Sequence, residues 1–181
     1  MLKHQGTQTL QTERLVLRRF TVEDAPVVFR NWTGDDEVTR YLSWPTHTSE
    51  GITRMVLEDW VRSYEKPDFY TWAIEFEGEP VGSISVVELR ENVQAAEIGY
   101  CIGKRWWHQG ITSEALKAVM DFLFEQVGFN RISARHDSRN PNSGGVMKKC
   151  GMTLEGIHRQ SDCNNQGICD TCVYAILASE R

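Results

Sequence analysis

The stretch Trp106-Trp107-His108-Gln109-Gly110-Ile111-Thr112-Ser113-Glu114-Ala115 links a strand-like run, Ala95 to Ile102, to a segment in which Leu116, Val119, Met120, Leu123 and Val127 recur at helical spacing until Gly128 stops them. Such a strand-to-helix junction presents backbone N–H groups without partners at the positive end of the helix dipole. It can therefore hold a phosphate group with main chain alone. Gly110 permits close approach or a positive φ at that turn. Many helices begin after a glycine and bind nothing, so loop chemistry leaves an anion site and an ordinary connection both open.

Reading outward toward the N-terminus, Trp72, Ile74 and Phe76 alternate with Ala73 and Glu75, and Glu77-Gly78-Glu79-Pro80 supplies turn chemistry before Val81 to Glu88. That pattern predicts an antiparallel hairpin. Further upstream, Leu15 and Leu17 alternate with Arg14, Val16 and Arg18, and Thr21 offers an N-cap followed by Glu23 and Asp24. Val22, Ala25, Phe29 and Trp32 then share helical spacing, as do Ile52, Met55, Val56 and Trp60 after the cap candidate Thr48.

Toward the C-terminus, Arg131 to His136 reads as a short strand. Asn140 can cap a helix with Pro141 in its first turn, where the missing N–H costs nothing. Met152 to His158 and Val173 to Leu177 read as strands on either side of an Asn164-Asn165-Gln166-Gly167 turn region. The order strand, two helices, three strands, helix, strand, helix, two strands indicates an α/β sheet with helices packed on it. No linker or repeat interrupts it, and residues 1–181 read as one domain at roughly 150 residues per domain.

Composition narrows the partners. The chain carries a formal charge of −5, so no global basic field draws phosphate backbones, and nucleic acid binding is disfavoured. No run of about eighteen apolar residues and no apolar leader is present, which predicts a cytoplasmic protein without membrane association. Five cysteines at irregular spacing suit a reducing compartment better than a disulfide framework. Cys163, Cys169 and Cys172 could suggest zinc, but in a strand Cys169 and Cys172 point to opposite faces, so no metal is expected. Trp32, Trp60 and Trp72 fit apolar periodicities and are expected in the core. Trp44 lies in a polar stretch and either lines an opening or packs under a helix. His136 and His158 are read as satisfied structural histidines.

Several segments together resemble the GNAT superfamily of N-acetyltransferases, in the branch of ribosomal-protein N-terminal acetyltransferases. Trp107 to Thr112 falls on the family's Gln/Arg-x-x-Gly-x-Gly/Ala pyrophosphate loop, with Trp107 replacing the basic or amide residue and Thr112 the small one. Thr12-Glu13-Arg14-Leu15-Val16-Leu17-Arg18 resembles the branch's first strand and Ala96-Glu97-Ile98-Gly99-Tyr100 its fourth. Asn140-Pro141-Asn142-Ser143, Lys149-Cys150-Gly151-Met152 and Leu154-Glu155-Gly156 resemble later signatures in the same order.

The resemblance implies a mixed, mostly antiparallel sheet of about seven strands, splayed between the fourth and fifth and flanked by about four helices. It implies acetyl-CoA as co-substrate, lying in the splay with its pantetheine paired to backbone near Tyr100, Cys101 and Ile102 and its phosphates on Trp107, His108, Gln109, Gly110, Ile111 and Thr112. Asn140 would hydrogen-bond the pantetheine arm. Ser143 would meet the leaving sulfur, since the position that carries a tyrosine in many relatives is Met147 here. Glu97 and Asp162 are the two candidates for general base, and each could instead be an ordinary ion-paired carboxylate.

The reaction implied is direct acetyl transfer to a primary amine, either a protein N-terminus, as in ribosomal proteins, or a small amine such as an antibiotic, polyamine or amino acid. An α-amine suits it because its pKa of about 7.7 to 8.0 leaves more free base near neutrality than lysine at about 10.4. The departures at Trp107, His108 and Thr112 also admit a module that binds acyl-CoA without catalysis. The resemblance implies a monomer or homodimer.

Overall fold

A computed structural model describes residues 2–181. Eight strands form one sheet: β1 (Leu10–Gln11), β2 (Leu15–Arg18), β3 (Thr71–Phe76), β4 (Glu79–Arg90), β5 (Ala95–Ile102), β6 (Arg131–Asp137), β7 (Thr153–Asn164) and β8 (Gly167–Leu177). They lie side by side in the order β1-β2-β3-β4-β5-β6-β8-β7. Every neighbouring pair is antiparallel except β5 and β6, which run parallel. The strand beyond the expected seven is β1, a two-residue pairing of Leu10 and Gln11 onto Leu17 and Val16.

Five α-helices accompany the sheet: α1 (Ala25–Val28), α2 (Asp36–Thr39), α3 (Glu50–Ser63), α4 (Ile111–Phe122) and α5 (Pro141–Lys149). The periodicity from Val22 to Trp32 corresponds to a composite, with a 3-10 turn before α1 and a wide π turn, Phe29–Thr33, after it. Helix α4 likewise continues through a π turn, Leu123–Val127, which Gly128 ends in the left-handed region. Among the described residues, no helix is long and apolar enough to cross a membrane.

The sheet is covered on both faces, which explains why β3 buries Thr71, Trp72, Ala73 and Ile74 in succession instead of alternating. Leu15, Leu17, Trp72, Ile74, Ile98 and Ile132 pack with α4 residues Ala115, Leu116 and Val119 in the main core. A second core, Phe20, Val28, Trp32, Leu57 and Ala73, lies on the opposite face, with Trp44 and Trp60 packed against it. The β3–β4 hairpin turns on Glu77 (φ 54°) and Gly78 (φ 80°), the pair of positive φ values that matches the twist of its strands.

Three expectations differ from the structure. Helix α3 starts after Ser49, not Thr48, and its buried face carries Thr53 and Leu57, while Met55 is 69 % exposed. The cause is a polar residue on the inner face: Thr53 Oγ1 lies 2.8 Å from both Thr33 Oγ1 and His47 Nδ1, so apolar spacing pointed to the wrong stripe. The last two strands run unbroken to a tight turn at Asn165-Gln166. Residues 159–163 look unlike a strand because β7 is an edge strand exposed along most of its length, and its register shifts between His158 and Asp162. The two histidines also part company: His158 is exposed, whereas His136 is buried with Nδ1 against the Asp137 carbonyl oxygen (2.8 Å) and Nε2 without a partner.

Candidate active site

Strands β5 and β6 pair only at Ala95–Arg131, Ala96–Ile132 and Glu97–Ser133. Beyond Glu97 they diverge, and two cavities occupy the two sides of the opening. The first, about 560 Å³, lies between the end of β5, the loop before α4 and the first turns of α5. The second, about 650 Å³, lies on the opposite face of the sheet, where the helices α1 and α3 leave β5, β6 and the β7–β8 hairpin uncovered. Tyr41, Leu42, Tyr100 and Cys101 line both, so the two meet at the outer half of β5.

The first cavity is floored by the loop that joins β5 to α4. Gly110 has φ +77°, and a Cβ built there would sit 3.5 Å from both Arg14 Nη2 and Lys149 Nζ. The glycine thus leaves a small open cradle between two cations at the start of a twelve-residue helix. Glu114 N is the first amide of α4 to find a helical acceptor, Gly110 O at 3.1 Å, so the preceding N–H groups remain for a ligand.

Long-range contacts pin this loop. Glu114 accepts from Thr12 Oγ1 (2.6 Å), Arg14 N (3.0 Å) and Arg14 Nε (2.7 Å), while Arg14 Nη1 donates to Gln109 O (3.1 Å). Burial alone would raise the Glu114 carboxyl, but those hydrogen bonds outweigh it and hold the group below the ordinary glutamate range. His108, also at positive φ (61°), Gly110, Ile111 and Thr112 line the cavity. Trp107 lines it too, but its indole Nε1 donates to Ile102 O (3.0 Å) and so ties the loop to the strand end. Gln109 does not line it, because its side-chain amide donates to Arg105 O (2.9 Å). Asn140 lies at the N-cap position of α5, where its side chain makes no capping bond and is left to face the cavity.

Ser143 stands in the first turn of α5. Its Oγ lies 3.1 Å from the Tyr100 hydroxyl, which donates to the Ser143 carbonyl oxygen at 3.0 Å. Burial pushes the Tyr100 phenol well above the ordinary tyrosine value, offset only in part by the Ser143 bond. Cys101, on the other face of β5, is raised by burial as well, and its Sγ lies 3.3 Å from Ser83 Oγ.

The second cavity brings both candidate bases to one cation. Arg135 Nε lies 3.0 Å from Glu97 Oε1 and 3.5 Å from Asp162 Oδ2. The Glu97 side chain is 13 % exposed and that of Asp162 35 %. Burial raises the Glu97 carboxyl above its ordinary value, and the attraction of Arg135 lowers it only partly back. Asp137, deeper on the same face, is held far below the carboxylate range, first by Arg139 and then by Asn164, whose Nδ2 donates to it at 2.7 Å.

Trp44, His47 and Trp60 wall this cavity opposite the acids. The Trp44 loop is fixed from a distance: Asn165 Nδ2 at the β7–β8 turn donates to Thr39 O and Trp44 O (both 2.9 Å), and Asn165 N donates to Leu42 O (3.2 Å). Cys169 lines this cavity whereas Cys172 joins the main core. Among the described residues, no group of three or more His, Cys, Asp or Glu side chains could hold a metal ion. Arg135, Asn165 and Tyr100's hydroxyl were not singled out by the sequence. Only the alternation along β5, which sets Glu97 and Tyr100 on opposite faces, pointed to any of them.

Comparison with known proteins accords with this geometry. The family described as Acetyltransferase (GNAT) domain matches residues 14–153. The chain is 32 % identical to the Bacillus subtilis (strain 168) protein called uncharacterized N-acetyltransferase YoaA, over 93 % of this chain and 96 % of that one. It is 30 % identical to the ribosomal-protein-serine acetyltransferase of Escherichia coli (strain K12), over 77 % and 79 % of the two chains. A ribosomal L7/L12 α-N-protein acetyltransferase solved with coenzyme A superposes with a TM-score of 0.86 at 22 % identity, covering 96 % of this chain and 100 % of that one, a likeness of fold.

Proposed function

The chain belongs to the GNAT family of N-acetyltransferases, and on that premise we propose that it moves an acetyl group from acetyl-CoA directly onto a primary amine, foremost the N-terminal α-amine of a protein such as a ribosomal protein. The observation that carries this reading is the meeting of two cavities at Tyr100 and Cys101, one with an anion cradle and the other with buried carboxylates. The cradle fits a pyrophosphate, because the open volume at Gly110 is flanked by Arg14 and Lys149. Acetyl-CoA supplies a thioester, whose carbonyl carbon accepts the amine while the C–S bond breaks and its electron pair leaves on sulfur.

The residues of the chain divide the remaining work. Trp107, His108, Gly110, Ile111 and Thr112 hold phosphates. The backbone of Tyr100, Cys101 and Ile102 and the Asn140 amide hold the pantetheine. Glu97 takes the amine proton, and Ser143 gives a hydrogen bond to the departing sulfur. Glu97 is favoured over Asp162 because burial brings its carboxyl nearer the pKa of the amine it must deprotonate. Three acids, Glu97, Asp137 and Asp162, against Arg135 and the Arg139 that pairs with Asp137 leave one negative charge in excess, which favours a cationic amine over an anionic acceptor. The protein works in the cytoplasm as a monomer or homodimer and uses no metal.

Departure at Trp107 does not remove the cradle, since its indole binds the Ile102 carbonyl and the phosphate positions are main chain. An enzyme and a module that binds acyl-CoA without turnover share this cradle, so turnover separates the two. The test is incubation of the protein and acetyl-CoA with ribosomal-protein N-terminal peptides, spermidine, aminoglycosides and amino acids, read by mass spectrometry. Gain of one acetyl group at a peptide α-amine supports the reading. Reaction only at a small amine moves the acceptor to that class, and acetyl-CoA binding with no acetylation anywhere sinks the enzyme reading.

A further inference from the structure

We infer that Tyr100 is a positioning residue for Ser143, fixing from across the splay the direction in which the serine hydroxyl points. The inference rests on the role proposed above for Ser143. Residues of even number in β5 face α4 and α5, with Ala96 and Ile98 in the main core, and Tyr100 follows them just past the last β5–β6 pair, Glu97–Ser133. Its ring therefore extends into the space where the strands part, and its hydroxyl meets the first turn of α5.

A phenol has one hydrogen and a carbonyl can only accept. The Tyr100 hydrogen therefore goes to the Ser143 carbonyl oxygen (3.0 Å), and the phenol oxygen keeps a lone pair turned toward Ser143 Oγ (3.1 Å). The serine hydrogen has two uses, resting on the phenol oxygen or pointing into the smaller cavity that Ser143 lines. A free serine would sample three staggered rotamers. Here the same phenol grips both the carbonyl and the hydroxyl of one residue, which selects one rotamer and holds the first turn of α5 at a set distance from β5.

The Tyr100 hydrogen is engaged by the Ser143 carbonyl oxygen (3.0 Å), and burial makes the phenol a weaker acid than a free tyrosine, so the proton for the leaving group is not assigned to it. Its effect passes through Ser143. That distinction is measurable as coupling, since two residues acting as one unit do not have additive effects.

The experiment compares the whole protein with Tyr100→Phe, Ser143→Ala and the double variant. It reads release of the coenzyme A thiol with the amine that reacts best in the acceptor panel, and with water as acceptor should none react. Tyr100→Phe is expected to lower kcat about tenfold, the worth of one well-placed hydrogen bond, with KM for acetyl-CoA unchanged. Ser143→Ala is expected to lower kcat at least as much, and the double variant no further than Ser143→Ala alone. A double variant that falls by the product of the two single effects overturns the positioning role, as does a Tyr100→Phe protein with full kcat. A Ser143→Ala protein with full kcat fails differently: it removes the proposed role of the serine, and the inference about Tyr100 falls with it. Thermal melting of each variant separates these outcomes from a protein that has lost its fold.

Discussion

The two sides of the cleft are built by different means. The cavity at the start of α4 takes its anion cradle from one short stretch, residues 106–108 and 110–113, and is completed by the end of β5, residues between 37 and 42, and the first turns of α5. The cavity on the other face is assembled from side chains that lie far apart in sequence: Trp44 and His47, Glu97, Arg135, and the hairpin tip that includes Asp162 and Asn164. A binding site of backbone amides needs only one local conformation, so a short motif can specify it. A site of converging side chains exists only once distant elements have packed.

Four substitutions sharpen or break that contrast. The largest effect is expected from Glu97→Gln, a fall in kcat of about 100-fold if the buried carboxylate is the base. Burial raises this carboxyl, so its basic form accumulates as pH rises through a value above the ordinary glutamate pKa of about 4.3, and kcat should rise with pH there. The glutamine variant should lose that acid limb while keeping any rise near pH 8 from the amine itself. An unchanged acid limb would shift the role to Asp162.

Gly110→Val tests the main-chain side. A β-branched residue at φ +77° is strained by about 1–3 kcal/mol, and its side chain would enter the cradle between Arg14 and Lys149. KM for acetyl-CoA should rise about tenfold or more, with the acceptor KM little altered. Titration of acetyl-CoA binding by calorimetry checks it, and equal binding by both proteins would place the phosphates elsewhere.

Asn165→Asp tests the assembled side from a distance. The aspartate keeps size and backbone but loses the Nδ2 donor that holds Thr39 O and Trp44 O. One part-buried and one exposed hydrogen bond are worth about 0.5–1.5 kcal/mol each, so acceptor KM should rise about fivefold while acetyl-CoA binding changes less. If steady-state kinetics show acetyl-CoA KM rising instead, the 39–44 loop serves the first cavity more than the second. The smallest effect belongs to Lys149→Ala, about threefold in acetyl-CoA KM at low salt and less as salt screens the charge. A salt-independent change would argue against contact with phosphate.

The sequence by itself determined the order of elements, because periodicity, caps and turn residues act within a few positions. Alternation placed β5 at Ala95 to Ile102, and Gly128 closed the helical run before β6. It also marked the junction at Gly110, whose positive φ and lack of a side chain are local properties. It misplaced the inner face of α3, since a buried Thr53 satisfied by Thr33 and His47 is polar for a reason that lies twenty residues away.

Only the tertiary structure decided which side chains share the cleft. Glu97 and Asp162 are 65 positions apart and meet on one guanidinium from a third strand, an arrangement that neither residue's neighbours encode. The splay has the same origin. Strands β5 and β6 pair for three residues and then part, and beyond that point Tyr100 reaches from β5 to Ser143 in α5, a contact 43 positions long that no strand's own sequence encodes.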